Sequence, residues 1–504
     1  MTQVRTRFAP SPTGELHIGG VRTAIFSWLA AKHDGGQFYI RLEDTDQDRY
    51  VPGSARRILQ TFDWLGIMLD GGPDHAELQR MQTNEDYPGA LADGGYRGLP
   101  GPFVQSQRLP IYKHWAEWLV EHGYAYRADE PPEELERMRQ ASSAHRQTLV
   151  FREEMRLRSE VDPSLPHVIR MRVLPRDGVT RFRDLIKGEV SFENAAVDDQ
   201  VLLKADGFPT YHLAVVVDDH LQGVTHAMRG DDWLSSAPKH VLLYQYFGWE
   251  MPHFAHVPNV LGSDGKKLSK RHGATSVLEL RDQGYLPEAV INFLAMLGWA
   301  PGEGIEQNVF TVDELIRQFT IDHIGTSPAV FNRDKLDWLN GVHIRRLDTA
   351  DLAEHLVPFL EQAGIPIDAP EKRARLGQVA PLIQERLKTL RDAAPLVDFF
   401  FQDIAAPARE SLIGQKMDQA QSLAALRAAR RALADVQAFD AGEVETALRA
   451  LASELSLKPG QLFTILRNAV ANKPVTPPLF GMMSVLGRDV TIARLDCAIG
   501  VLSD

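Results

Sequence analysis

Cysteine is almost missing from this chain: Cys497 is the only one in 504 residues. A single thiol excludes an intrachain disulfide and any zinc site built on several cysteines. Long apolar runs are missing too. The most apolar stretch, Ala289 to Ala300, is twelve residues long and contains Asn292. It predicts a buried helix too short to span a bilayer. An excess of positive charge is also absent, with 55 Lys+Arg against 67 Asp+Glu and a net charge of −12. That balance excludes a protein that coats nucleic acid through bulk charge, but leaves room for local basic patches. Met1 to Pro12 carries Arg5 and Arg7 and no apolar core, so no secretory signal and a soluble, cytoplasmic protein are expected. The histidines lack zinc-ligand spacing, and there is no GxGxxG loop, Walker loop, internal repeat or low-complexity segment.

The chain has the length of about three or four domains. Its hydrophobic fraction of 44% supplies several cores. Val4, Thr6 and Phe8 alternate with Arg5 and Arg7, a strand pattern. A turn-rich stretch from Pro10 to Gly14 follows, and then Val21, Ala24, Ile25, Trp28 and Leu29 recur at helical spacing. Gly35-Gly36 stops that helix, and Phe38, Ile40 and Leu42 form a second strand ending at Glu43-Asp44-Thr45-Asp46. Strand, loop, helix and strand make a βαβ unit, hence a parallel sheet. Gly71 to Gly101 reads as a turn-rich surface insertion, and Arg108 to about Glu160 as charged helices. His167 to Val173 and Glu189 to Phe192 read as strands. Leu213 to Val217 is a continuous β-branched run, expected to be a central parallel strand, with Asp218 and Asp219 as its solvated end. Beyond about residue 280 strand patterns disappear, and helical periodicity such as Leu423, Leu426, Ala429, Leu433 and Val436 takes over.

Two segments carry chemistry. The loop Pro10-Ser11-Pro12-Thr13-Gly14-Glu15-Leu16-His17-Ile18-Gly19-Gly20 opens a helix, whose free N–H groups suit a phosphate, with His17 as a further donor. By itself it is equally a turn with a surface histidine. Ser263-Asp264-Gly265-Lys266-Lys267-Leu268-Ser269-Lys270-Arg271-His272-Gly273 is a cationic loop that can neutralise charge developing on a polyphosphate. By itself it is more often a solvated basic loop.

Together the two segments resemble the HIGH and KMSKS motifs of class I aminoacyl-tRNA synthetases. Arg5 to Gly14, Arg41 to Asp46, Gln105 to Arg108, Tyr211-His212-Leu213 and Val217 to His220 narrow the likeness to bacterial glutamyl-tRNA synthetases. Phe331 to Gly341, with Asn332, Lys335, Leu336, Trp338 and Asn340, is similar to that family's stem-contact region. The resemblance implies ATP-dependent activation of L-glutamate to glutamyl-adenylate, then transfer to the 3′-terminal adenosine of tRNA(Glu). It implies catalytic roles for His17, Lys267 and Lys270, and ATP contacts from Thr13, His17, Gly19, Gly20, Lys267, Ser269 and Lys270. Glutamate would meet Arg7, Ala9, Ser11, Glu43, Tyr211 and Arg229, with Glu43 pairing the ammonium and the Arg7 fork clamping the γ-carboxylate. Arg7 is expected to flank the crevice without belonging to the core. Core packing is the competing reading for Tyr211 and Trp233, and an interstrand ion pair for Arg7 with Glu43. Magnesium would arrive with ATP. Some family members carry a cysteine cluster where this chain has Tyr124 to Glu130, so no structural zinc is expected.

The implied fold is an α/β Rossmann-type catalytic domain with an inserted α+β domain, followed by an all-α anticodon-binding region. The expected boundaries are 1–108 and 211–262 for the catalytic halves and 109–210 for the acceptor-binding insertion. The stem-contact domain is expected at 263–345 and the helical region at 346–504. Arg386 falls where the family monitors an anticodon base, and Lys458 to Gln461 resembles a family turn nearby. Any one arginine of this half reads more readily as part of a solvated helix face. A monomer is expected. The competing readings are a glutaminyl-tRNA synthetase, a short paralogue modifying a tRNA base, an inactive homologue serving as an RNA-binding module, and a nucleotidyltransferase without tRNA. The helical half disfavours the first, second and fourth, and the intact charged residues disfavour the third.

Overall fold

The computed structural model describes residues 3–81, 101–144, 149–158, 160–268, 276–302, 304 and 306–503. The chain divides into two compact units, Met1–Leu280 with Val290–Arg333 and Arg281–Ala289 with Asp334–Asp504.

The first unit opens with the expected βαβ: β1 (Arg5–Phe8), α1 (Ile18–His33) and β2 (Gln37–Ile40), the strands parallel with Arg7 opposite Tyr39. α1 is buried on nearly all sides rather than along one stripe, as its mixed apolar sequence of Val21, Ile25, Phe26 and Leu29 demands. Gly36 permits the tight return, since a Cβ there would overlap the Val4 carbonyl. Next come α2 (Ser54–Trp64), α3 (His75–Arg80), α4 (Leu109–Glu121), β3 (Ala125–Ala128), α5 (Pro132–Ala144), β4 (Val168–Met171), β5 (Val179–Asp184), β6 (Gly188–Glu193) and β7 (Val201–Leu203). β3, β4 and β7 form a separate antiparallel sheet. The β5–β6 hairpin instead extends the main sheet. α6 (Tyr211–Leu221), β8 (His226–Gly230), α7 (Ala237–Phe247) and β9 (His253–Val257) complete it, in the order β2-β1-β8-β9-β5-β6. β1 lies between β2, which follows it directly, and β8, which arrives some two hundred residues later. The strand order therefore reverses at β1, and a parallel sheet opens its ligand crevice at such a point, beyond the strand C-termini.

The run Leu213 to Val217 is not a strand, as the sequence pattern suggests, but the middle of α6. Periodicity cannot distinguish a fully buried strand from a buried helix. Here all five residues are covered because α4 and α7 pack on α6, and packing overrides β-branched propensity. Asp218 and Asp219 consequently lie on a helix and are buried, not solvated. The helical stretch expected from Arg108 is interrupted by β3, and the segment expected to be purely turn-rich contains α3. The remainder of that insertion, 82–100, lies outside the described residues.

The first unit closes with β10 (Val260–Leu261), α8 (Val277–Asp282), α9 (Pro287–Ala295), α10 (Val312–Gln318) and β11 (Ala329–Val330). β10 and β11 pair in parallel, so strand structure does continue past residue 280. Asn292, within the apolar run, is buried and accepts from the Phe310 N–H at 2.8 Å.

The second unit is helical, from α11 (Arg333–Arg346) through α12 (Thr349–Gln362), α13 (Pro370–Ile383), α14 (Ala394–Val397), α15 (Gln419–Asp435), α16 (Ala441–Glu454), α17 (Pro459–Ala471) and α18 (Leu479–Leu486) to α19 (Arg488–Ser503). The α15 periodicity works as read: Leu426, Ala429 and Leu433 are buried in one apolar cluster with Leu448, Leu466 and Met482. Asp418 caps α15 in a reciprocal box with Gln421. Among the described residues no helix is long and apolar enough to cross a membrane.

Candidate active site

The crevice at the C-terminal ends of β1 and β8 is lined by charges taken out of water. The Arg7 guanidinium is 3% exposed. Its Nε and Nη2 donate to the two Asp219 oxygens at 2.9 and 3.0 Å, and Nη1 donates to the Met228 carbonyl at 3.1 Å. The fork that the resemblance reserves for a substrate carboxylate is therefore engaged by α6. Arg7 belongs to the buried interior and does not merely flank it. Arg7 and Glu43 do not pair directly. Glu43 accepts from Arg41 Nη2 at 3.0 Å, and Arg41 also meets Asp219 at 2.9 Å and Asp218 at 3.5 Å. Asp218 further accepts from Arg108, Gln105 and Tyr112 at 2.8–2.9 Å. Three buried arginines thus face three buried carboxylates, from β1, α6 and the segments after β2 and before α4.

Burial pushes Asp219 up, but Arg7 and Arg41 outweigh it and hold the carboxyl below its ordinary value. Glu43 goes the other way. Its desolvation exceeds the pull of Arg41 and Arg7, and its carboxyl is pushed up to about 7. An ammonium delivered beside it would favour the ionised form.

Arg229, on β8, is 6% exposed and differs from the other three arginines. Among the described residues it makes no ion pair. It donates through Nε to His256 Nε2 at 2.9 Å, and Nη1 lies 2.7 Å from His240 Nδ1 and 3.5 Å from the Tyr211 hydroxyl. Its Nη2 is buried without a partner among the described residues. Tyr211 opens α6 and packs at 4.1 Å on Trp233, which is itself 41% exposed at the mouth. Tyr211 therefore neither packs purely as core nor precedes a strand.

The loop after β1 carries Ala9, Ser11 and Thr13. Backbone bonds tie it to the neighbouring segments: Glu43 N–H donates to the Pro10 carbonyl at 3.0 Å and Val51 N–H to Pro12 at 3.0 Å. His17 is the N-cap of α1 with no side-chain cap bond, so the first-turn N–H groups are open to an anion. A Cβ at Gly19 would meet nothing within 4 Å, and at Gly20 only the Phe8 ring at 3.7 Å, so there is room for a ligand to approach the backbone. The cationic segment is rooted beside this helix end. Leu268 N–H donates to Val260 at 2.9 Å, and Lys267 pairs with Leu261. Ser276 bridges to His17. Lys267 is exposed and reaches the Asp232 carboxylate. Ser269, Lys270 and Arg271 lie outside the described residues.

Ser276, just past the cationic segment, thus meets His17, more than two hundred positions earlier in the sequence. The description "tRNA synthetases class I (E and Q), catalytic domain" matches residues 3–338, and "Anticodon binding domain" matches 351–499. The chain belongs to the class I tRNA synthetases of the E and Q group. It is 44% identical over 503 residues to a glutamate–tRNA ligase of Dehalococcoides mccartyi, covering 100% of this chain and 98% of that protein. It is 45% identical over 515 residues to a glutamate–tRNA ligase of Roseiflexus castenholzii, with 99% and 97% covered. A crystal structure of the glutamate tRNA ligase from Elizabethkingia meningosepticum in complex with its amino acid superposes with a TM-score of 0.86 at 31% identity. It covers 99% of this chain and 100% of that one.

The stretch Tyr124 to Glu130 contains β3, and an arginine–carboxylate mesh lies nearby, where the Arg156 Nη1 donates to the Arg127 carbonyl at 3.1 Å. Arg172 grips Glu153 at 2.6 and 2.8 Å, and Arg156 joins it at 3.0 Å. Among the described residues no group of three His, Cys, Asp or Glu is placed to hold a metal. In the helical unit Arg386 is exposed, and its Nη1 donates to the Thr476 carbonyl at 2.7 Å. Lys458 and Gln461 cap α17, while Asn468 anchors the Ser411 carbonyl at 2.6 Å. Asn340 is buried, tying the Leu286 N–H at 2.8 Å, whereas Trp338 is 49% exposed.

The sequence reading singled out Arg7, Glu43, Tyr211 and Arg229, but gave no functional role to Arg41, Asp219, His240 or His256. A signal for α6 was present: Tyr211, Asp218, Asp219 and Gln222 recur at i, i+7, i+8 and i+11, a polar helical face within an apolar run. Nothing local marks His256 or His240.

Proposed function

We propose that this chain is a glutamate–tRNA ligase. The observation carrying the reading is a buried guanidinium without an anion, Arg229, facing the same crevice as the Glu43 carboxylate. That pair suits an amino acid with an extra carboxylate. Glu43 takes the ammonium, Arg229 and Tyr211 offer positive charge and donors to carboxylate oxygens, and Arg7, its charge balanced by Asp219, offers its remaining N–H donors. Ala9 and Ser11 line the same pocket. ATP, arriving with magnesium, lies along Thr13, His17, Gly19 and Gly20. Lys267 and Lys270 neutralise the departing phosphates, and Ser269 contacts ATP. The α-carboxylate oxygen attacks the α-phosphorus, the bond to the β-phosphate oxygen breaks, and pyrophosphate leaves. A hydroxyl of the 3′-terminal adenosine of tRNA(Glu) then attacks the acyl carbon and AMP departs. Catalysis of this kind is positioning and charge stabilisation.

In the same reading, 109–210 receives the acceptor end, 263–345 contacts the stem, and 346–504 reads the anticodon with Arg386 near a base. The protein acts as a cytoplasmic monomer. Charging of purified glutamate and glutamine tRNAs with labelled glutamate, and separately labelled glutamine, tests it. Glutamate on the glutamate tRNA supports the reading, and on both tRNAs it supports a relaxed anticodon reader. Glutamine transfer, or no transfer by a folded protein, overturns it.

A further inference from the structure

Arg7 and Arg229 lie on adjacent strands and are buried to nearly the same extent, yet they are held by opposite chemistry. Arg7 is gripped by a carboxylate. Arg229 is gripped by two imidazoles. A guanidinium can only donate. The nitrogens it meets, His256 Nε2 at 2.9 Å and His240 Nδ1 at 2.7 Å, must therefore be bare acceptors. This decides every proton in the chain. His256 keeps its proton on Nδ1 and donates it to Asp184 Oδ2 at 2.6 Å. His240 keeps its proton on Nε2 and donates it to His212 Nδ1 at 3.1 Å. Asp184 is itself locked by the backbone N–H groups of Ile186 and Lys187 at 2.9 Å. Both imidazoles are neutral, as burial and the neighbouring guanidinium also require.

We propose that His256 and His240 are positioning residues for amino-acid selectivity: they aim the Arg229 guanidinium while leaving its charge for an incoming side-chain carboxylate. The reacting α-carboxylate has to meet ATP near exposed His17, so the side-chain carboxylate is the group that enters the closed end where Arg229 Nη2 lacks a partner. A carboxylate in place of either histidine would aim the guanidinium equally well but neutralise it, as Asp219 does for Arg7. A neutral amide substrate would then be rejected less strongly.

The inference rests on the glutamate–tRNA ligase reading, and the test separates the two. Charging of tRNA(Glu) is measured with glutamate and with glutamine for the wild-type chain and for His256→Gln, His256→Leu and His256→Glu. The leucine variant removes the acceptor and should raise the KM for glutamate about tenfold, with the KM for ATP unchanged. The glutamine variant retains a neutral acceptor and should recover most of that loss. The glutamate variant should lower the glutamate-over-glutamine preference about tenfold or more. Equal glutamate KM values for the glutamine and leucine variants overturn the proposal, and so does a wild-type preference in the glutamate variant. If the glutamate variant does not fold, the neutral pair decides. A wild-type chain that charges no glutamate overturns the ligase reading, and this inference with it.

Discussion

The two units bury different things. The α/β unit takes Arg7, Arg41, Arg108, Asp218, Asp219 and Glu43 out of water beside its sheet. The helical unit fills its interior with leucine, alanine, valine and isoleucine, and leaves ion pairs such as Arg430–Asp496 half-exposed. On the proposed function, the contrast follows from what each recognises. A small charged ligand is selected by groups already oriented and desolvated, because reorganising water around them would weaken every contact. The bases of an RNA loop are met at the surface, by side chains that reach outward. The first solution carries the risk of an unpaired buried charge, and the second avoids it.

The largest effect should come from Asp219→Ala, which leaves Arg7 and Arg41 without their shared partner. Breaking a buried pair costs on the order of 3–5 kcal/mol. Chemical denaturation should show a loss of that size, with glutamate charging abolished. A loss below about 1 kcal/mol would mean that the buried network adds little to stability, and the contrast between the units would fail.

Glu43→Gln should be smaller and opposite in its stability effect. The ordinary value of 4.5 is raised to about 7 in the folded chain, so folding favours the protonated form. Its contribution to stability is present below about 4.5 and lost as pH rises through about 7. The amide cannot ionise, so the variant should melt no lower than the wild type at pH near 8, while its KM for glutamate rises roughly tenfold or more for want of an ammonium partner. In the wild type the same KM should fall as pH rises through about 7, and this slope should vanish in the variant. A variant that melts well below the wild type at alkaline pH would make Glu43 a structural ion-pair member instead. The smallest effect belongs to Arg430→Ala in α15, where the melting temperature should not move measurably, because an exposed pair is screened by water. A clear drop would show that the helical unit also depends on its charges.

Much of this was legible along the chain because its causes are local. Alternation in Arg5 to Phe8, the Gly35-Gly36 stop and the helical spacing from Val21 to Leu29 define the βαβ unit without reference to anything distant. The cap at Asp418 and the stripe from Leu423 to Val436 do the same for α15. The loop from Pro10 to Gly20 and the cationic segment from Ser263 to Gly273 carry their residue types at close spacing, so their likeness to a known motif pair could be read from the sequence. Leu213 to Val217 could not, because an unbroken apolar run fits a covered strand and a covered helix alike, and only the packing of α4 and α7 decides.

Composition and spacing determined the parallel sheet and the change to helices, and the motifs determined the family resemblance that names residues for ATP and glutamate. Which charges neutralise one another was decided only by the tertiary structure. Asp219 reaches Arg7 across 212 positions, and His256 reaches Asp184 across 72. Partners so far apart leave no periodic trace in the sequence. Whether a buried arginine is neutralised or left ready for a ligand depends on what the folded sheet places against it.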